Sequence, residues 1–452
     1  MAMGEEKGRE ATLQVEIVCL DELVPADDRY RRLDELVEWG FVRELAAPYY
    51  AEVVGRPPID PIVLVKLMLA GALEGVGSMR ELLRTAALRL DLRRFLGYGF
   101  AERLPAHQTV SHAHTQRFVD GALFERLFTR SVALCSEHGL LDGTHLSVDG
   151  FHAEANAALA SLRASLKPAA SPAVDERSPA PEEAPPVPSP QLTLAEPRSG
   201  KTPKRRSSNA TATSRSDPEA RLRGKPGQRP HLVHRGQVAV DPKARCVVAC
   251  RGERADGYEG DALAPLTDRA RFCCPELASV GADQGFAASR VWRALEERGI
   301  TAFVPPQRRM LPPRGEAETE AQRQAQAARV RCRGALGIWA HKRRLADSEG
   351  AIAELKDRHG LARARRRGTG AFHVQLLLGC TALNLKRLVT RGGQATAGWA
   401  AGRHADGGGS LRLLARAWAG DIRRCTIDLP STQPGSRYPL GAALWSFSVS
   451  SN

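Results

Sequence analysis

Residues 144–155, THLSVDGFHAEA, decide the fold. Up to about residue 140 the apolar side chains recur at helical spacing. Here the period changes to two and predicts a strand whose apolar part, Leu146-Ser147-Val148, stops at Asp149 beside Gly150. Further on, HLVHRGQVAVD (231–241) and ARCVVACRG (244–252) read as two strands of a hairpin turning at Asp241-Pro242-Lys243. A helix at DALAPLTDRAR (261–271), a strand at LASVGAD (277–283), a helix at SRVWRALEERG (289–299), a strand at TAFVPP (301–306) and a long helix over 348–359 follow. That order is a mixed α/β domain, 141–157 with 231–390, interrupted by an insertion.

The insertion is 158–230. Nine prolines between Pro168 and Pro197 exclude helix and sheet there, and KTPKRRSSNATATSRSDPEARLRGKPGQR (201–229) is polar and basic, so the whole segment reads as disordered. Residues 391–452 form a Gly-rich tail. Residues 1–140 read as a helical domain. Asp60-Pro61 cap an almost wholly apolar helix, Ser78 and Glu81 form a capping box, and Gly139 ends the last helix. Within it HQTVSHAHTQRF (107–118) follows a turn and an earlier short helix, a helix-turn-helix-like arrangement that offers Gln108, His112 and Arg117 to DNA.

With 65 basic and 51 acidic residues the 452-residue chain carries a formal +14 charge, which fits a polyanionic partner. No apolar run is long enough to span a membrane and the start lacks an apolar signal core, so the expected location is the cytoplasm, next to nucleic acid. The nine cysteines match neither zinc-ligand nor disulfide spacings and read as reduced thiols.

Asp149 and Asp283 each end an apolar strand near a glycine, where α/β sheets place metal and phosphate chemistry. They are 134 residues apart, and without the insertion the remaining chain suffices for a hairpin, a helix and a returning strand, so the two can lie on adjacent strands. A third acid is expected from the late helix. Glu349 has Lys356 seven residues on along the same face and Arg343 and Arg344 just before it, while Asp347 and Glu354 compete for the role. Three carboxylates without a histidine or cysteine cluster favour Mg²⁺, and a pair of such ions is suited to phosphodiester displacement. The run Arg363, Arg365, Arg366 and Arg367 is a candidate contact to the DNA backbone.

The chain resembles the DDE transposases of bacterial insertion sequences. The resemblance lies in GRPPIDPIVLVKLMLAGAL (55–73), RRFLGYGF (93–100), VDGFHAEANA (148–157), SNATATSRSDPEARLRGKPG (208–227), GADQGF (281–286), SEGAIAELKDRHGLARARRRG (348–368) and ALNLKRL (382–388). It implies a ribonuclease H-like mixed sheet with flanking helices, preceded by an all-helical DNA-binding domain. It also implies an Asp-Asp-Glu triad on Asp149, Asp283 and Glu349 holding two Mg²⁺ ions, with Mn²⁺ able to substitute, and Lys356 as the lysine after the glutamate. The implied activity is that of a DNA transposase, a polynucleotidyl transferase: hydrolysis at the element's ends, then strand transfer. Its partners would be terminal inverted repeats, target DNA and a second copy of the chain. Leu345 stands where the family often has arginine, and Gln284 where it often has lysine. A nuclease of the same fold without strand transfer, or a degenerate DNA-binding copy, are the alternatives. On a helix starting at residue 348, Asp347 reads as its cap, and Glu354 points away from the face of Glu349 and Lys356.

Overall fold

A computed structural model describes residues 17–50, 58–116, 121–164, 209, 212–224, 229–312 and 318–401, the side chains of 114–116, 164 and 392–401 excepted. Its first part is helical: α1 (Leu20–Leu23), α2 (Arg29–Leu36), α3 (Gly40–Ala46), α4 (Pro61–Leu73), α5 (Met79–Leu88), α6 (Leu90–Leu96), α7 (His107–Gln116) and α8 (Ala122–Glu137). The α4 helix is its centre. Asp60 accepts the Ile62 N–H, Pro61 fills the first turn, and every residue from Leu64 to Leu73 is buried. Lys66, caught in that run, puts its ammonium over the rings of Trp39 (5.1 Å) and Phe95 (4.8 Å). Ser78 caps α5 by accepting the Glu81 N–H, which is the serine half of the expected capping box.

The helix-turn-helix reading needs correction. Residues 97–106 separate α6 from α7, a longer link than the three or four residues of that motif. Arg93 fixes the link by donating to the carbonyls of Gly99, Phe100 and Glu102. The α7 helix packs instead on α5, turning Val110 and Ala113 inward.

The second part is built on strands β1 (His145–Glu154), β2 (Leu162–Ala164), β3 (Ala212–Ser214), β4 (Arg221–Arg223), β5 (His231–Val240), β6 (Val247–Arg254), β7 (Ser279–Gly281) and β8 (Thr301–Phe303). The main sheet runs β6-β5-β1-β7-β8, with β5 antiparallel to both its neighbours and β7 and β8 parallel to β1. This is the ribonuclease H-like mixed sheet. Helices α9 (Leu263–Arg271), α10 (Ser289–Glu296), α11 (Glu320–Arg333), α12 (Ala335–Arg358) and α13 (Thr369–Ala401) flank it. Phe151 explains one glycine: a Cβ at Gly236, its partner across β5, would lie 2.7 Å from the Phe151 ring.

Three boundaries differ from the sequence reading. Asp149 does not end its strand; β1 continues to Glu154 because β5 pairs along its whole length. The α12 helix begins at Ala335, thirteen residues before 348, and α13 runs past 391 to Ala401. The insertion is not wholly outside the fold either. β2 pairs with β3, β4 joins the edge of β5, and Asp217 between them is fully buried, its carboxylate accepting from His234 Nε2 (2.9 Å) and the Gly368 N–H (3.2 Å). Short polar strands separated by an uncharacteristic composition leave no period to read. Residues 165–208 lie outside the described residues.

One hydrophobic core runs from Tyr30 in α2 to Val389 in α13. Across it, Glu125 on α8 accepts from His373 Nε2 on α13 (2.6 Å) and pairs with Arg269 on α9. His373 Nδ1 in turn accepts the Gly252 N–H (3.0 Å), which fixes the proton on Nε2.

Candidate active site

Register places the two aspartates side by side. Ser147 on β1 pairs with Gly281 on β7 in parallel, and Asp149 and Asp283 each lie two residues further along. Neighbouring strands are about 4.8 Å apart, so the two residues share one level, Asp149 midway along β1 and Asp283 just past the end of β7. The Asp149 carboxylate accepts from the Gly150 N–H (2.7 Å) and that of Asp283 from the Gly285 N–H (2.8 Å).

The α12 helix crosses the β1 side of the sheet and brings Arg344 and Glu349. Arg344 Nη1 lies 2.6 Å from Asp149 Oδ2, and its Nη2 is 3.5 Å from Glu349 Oε1. Burial pushes the Asp149 carboxyl up to about 6; Arg344 and the Gly150 N–H oppose this, while the charges of Asp283 and Glu349 add to it. Asp283 and Glu349 thus both act on Asp149. Glu349 itself is half exposed.

Its competitors are spent elsewhere. Asp347 is not a helix cap: it lies inside α12, 1% exposed, paired with Arg343 (2.9 Å) and Arg245 (3.5 Å) on the side facing the β5–β6 turn. The thirteen additional residues of helix put it there. Glu354 is held by Lys386 (2.6 Å) and Arg387 of α13, contacts that keep its carboxyl below the ordinary range against the opposing effect of burial.

The expected phosphate-binding side chains divide. Lys356 does share the side of α12 that faces β1: its ammonium is 5.3 Å from the centre of the Phe151 ring, and burial holds it below the usual lysine range. Arg343 is turned away, donating to the Pro242 carbonyl (2.5 Å) besides its bond to Asp347. Arg363, Arg365, Arg366 and Arg367 lie on the α12–α13 loop, which is stitched to the end of β1 through Glu154 (Ala364 N–H to Glu154 O, 2.7 Å). Five residues of strand place that loop about 17 Å from Asp149. Arg363 and Arg367 are exposed, whereas Arg365 is packed against Gly360 and Gly77. Gln108 and His112 lie on the exposed side of α7; Arg117 is outside the described residues.

Two features carried no clear signal in the sequence. A Cβ at Gly285 would meet Asp283 Oδ1 at 3.0 Å and Glu259 Oε2 at 3.1 Å, so a fourth carboxylate stands beside Asp283 and any larger residue at 285 would push on both. Glu259 also lies 3.6 Å from buried Arg235. The second feature is an open groove of about 540 Å³ at Asp283, bordered by Gln307, Arg308 and Arg309 after β8.

An all-oxygen donor set suits a hard divalent cation, and the mutual repulsion at Asp149 is what such an ion would relieve. The carboxylates are not closed into a cage: among the described residues no three acidic, histidine or cysteine side chains converge as ligands. The Arg344 guanidinium supplies the positive charge between Asp149 and Glu349.

Residues 18–116, which hold α1 to α7, match the family described as Transposase domain (DUF772), and residues 308–389, which hold Glu349 and Lys356, match the Transposase DDE domain. A comparison with curated proteins finds no match. Among solved structures the cryo-EM structure of a piggyBac transposase synaptic complex with hairpin DNA aligns over 90% of this chain and 86% of that one, at 10% identity and a TM-score of 0.32. No described helix is long and apolar enough to cross a membrane. A transposase domain over the helical part and a transposase DDE domain over its last helices make the chain similar to the DDE transposases.

Proposed function

We propose that this chain is a DNA transposase that hydrolyses a phosphodiester at each end of its own element and then joins the freed 3′ hydroxyl to target DNA. The observation that carries the reading is the level register of Asp149 and Asp283 beneath α12, with Glu349 coupled to Asp149 through Arg344. Asp149, Asp283 and Glu349 would hold Mg²⁺ or Mn²⁺; when bound, such ions activate the attacking oxygen and stabilise the leaving one. The chain's own part is to hold the DNA in line. Lys356 is placed beside β1 to meet a phosphate oxygen, and Arg344, freed from its carboxylates, is within reach of another. The exposed Arg363 and Arg367 and the side of α7 with Gln108 and His112 extend the contact to DNA beyond the site. A chain acting on two ends is read as a homodimer on DNA, working in the bacterial cytoplasm at the nucleoid.

The test uses DNA that flanks the gene. Incubated with protein and Mg²⁺, it should yield 3′-hydroxyl ends, and with a target plasmid, joined products. Ends without joined products would identify a nuclease, and binding without cleavage a degenerate copy.

A further inference from the structure

The chain leaving β8, Val304-Pro305-Pro306-Gln307-Arg308-Arg309, returns over the end of β7. Gln307 Nε2 donates to the Gln284 carbonyl (3.1 Å), tying the two loops together. They enclose the open groove of about 540 Å³ whose lining is Asp283, Gln284, Gly285, Gln307, Arg308 and Arg309. Arg308 and Arg309 are exposed, and among the described residues neither guanidinium has a carboxylate partner. Arg290 on α10 is committed to Asp261 and Arg331 on α11 to Glu296. Among the groove's lining residues two guanidinium groups stand against one carboxylate, with Glu259 beside it paired to Arg235, so the lining is net cationic, and two amide side chains add neutral hydrogen-bonding groups. A planar fork of N–H donors matches a phosphate.

We infer that Arg308 and Arg309 form a subsite for the DNA backbone, holding a phosphodiester that flanks the scissile one on the Asp283 side. The inference rests on the reading of Asp149, Asp283 and Glu349 as the cleavage site. Sheet order gives the path. Lys356 marks one side over β1, the two aspartates lie at β1 and β7, and the arginines follow β8, so the DNA strand crosses β1 at Asp149 and then the carboxyl ends of β7 and β8. The prolines at 305 and 306 restrict the backbone before Gln307 and so present the arginines in a fixed place.

The experiment compares the full chain with its Arg308→Gln/Arg309→Gln variant on element-end DNA carrying a single neutral methylphosphonate at successive positions around the cleavage point. In the wild type one flanking position should weaken binding by about tenfold. In the double variant that position should cost nothing further, and the slope of log affinity against log salt should fall by about 0.7 to 0.9, the value for one lost phosphate contact. Arg308→Lys/Arg309→Lys should recover most of the slope, which a merely structural role would not. If the double variant keeps the wild-type methylphosphonate pattern and salt slope, the subsite is wrong. If the pattern shifts as stated but the wild type cleaves no DNA, the subsite stands and the cleavage reading falls.

Discussion

Arg344 on α12 reaches Asp149 on β1 at 2.6 Å and so sets a guanidinium between two of the three carboxylates expected to hold metal. A divalent cation has to displace that charge. Arg344→Gln removes the competitor, and Mn²⁺ titrated into the DNA-free protein should bind at least about tenfold more tightly to the variant, the equivalent of ~1.4 kcal/mol. Cleavage should nonetheless fall if Arg344 moves to phosphate once freed. Equal Mn²⁺ affinity by calorimetry or electron paramagnetic resonance would show that the guanidinium does not contest the site.

Asp149 ties the site to stability. Its carboxyl is raised from 3.8 to about 6, mainly by burial, so between those values the folded chain holds a proton the unfolded chain releases. Stability therefore rises as pH falls through that window, and above about 6 the ionised carboxylate weakens the fold by roughly 3 kcal/mol at most. Asp149→Asn should stabilise the metal-free protein at pH 8 by up to that amount, less what Arg344 loses. The advantage should shrink between pH 6 and 4. Urea denaturation of both proteins at the two pH values checks it; a gain independent of pH would refute the assignment.

Much of this site was legible because strands and apolar helices have periods. Leu146 and Val148, then Val280 and Ala282, lead straight to Asp149 and Asp283, and the structure sets them level. The Glu349–Lys356 pairing holds because seven residues close two helical turns wherever the helix begins, even though α12 begins at Ala335. What was not legible depends on folding back. Nothing local says that Arg343 turns to Asp347 while Arg344 turns to Asp149, or that Glu259 and the arginines after β8 come to lie beside Asp283.

Glu349 and Glu354 should separate cleanly. Glu349→Gln should abolish Mg²⁺-dependent cleavage with little change in melting temperature or DNA affinity, since the side chain is half exposed and pairs only loosely with Arg344. Glu354→Gln removes the anion that Lys386 and Arg387 share, and should cost about 1–3 kcal/mol of stability while the cleavage rate of the folded fraction stays near wild type. The opposite pattern in a paired melting and cleavage assay would move the third carboxylate to Glu354.

The inserted segment tolerates cutting in one part and not in another. Loop-closure cost grows only with the logarithm of length, so deleting 165–205 should change stability by about 1 kcal/mol or less. The returning arm is different. Asp217 is fully buried against His234 and accepts the Gly368 N–H, and Glu219 accepts the Thr369 N–H (2.6 Å), so the arm fastens the start of α13 and with it the loop of Arg363 to Arg367. Burial alone would raise the Asp217 carboxyl; the His234 bond and backbone N–H groups overcome it and hold it below the usual value. A depressed carboxyl contributes stability above its unfolded value of 3.8, and that contribution is lost only at lower pH. Asp217→Ala should therefore cost roughly 3 kcal/mol at pH 7, because it leaves His234 buried without its partner. Hydrogen exchange should show the loss as faster exchange at Gly368 and Thr369, whereas the 165–205 deletion should leave both amides protected. If the deletion exposes them and Asp217→Ala does not, the arm is not what fastens α13.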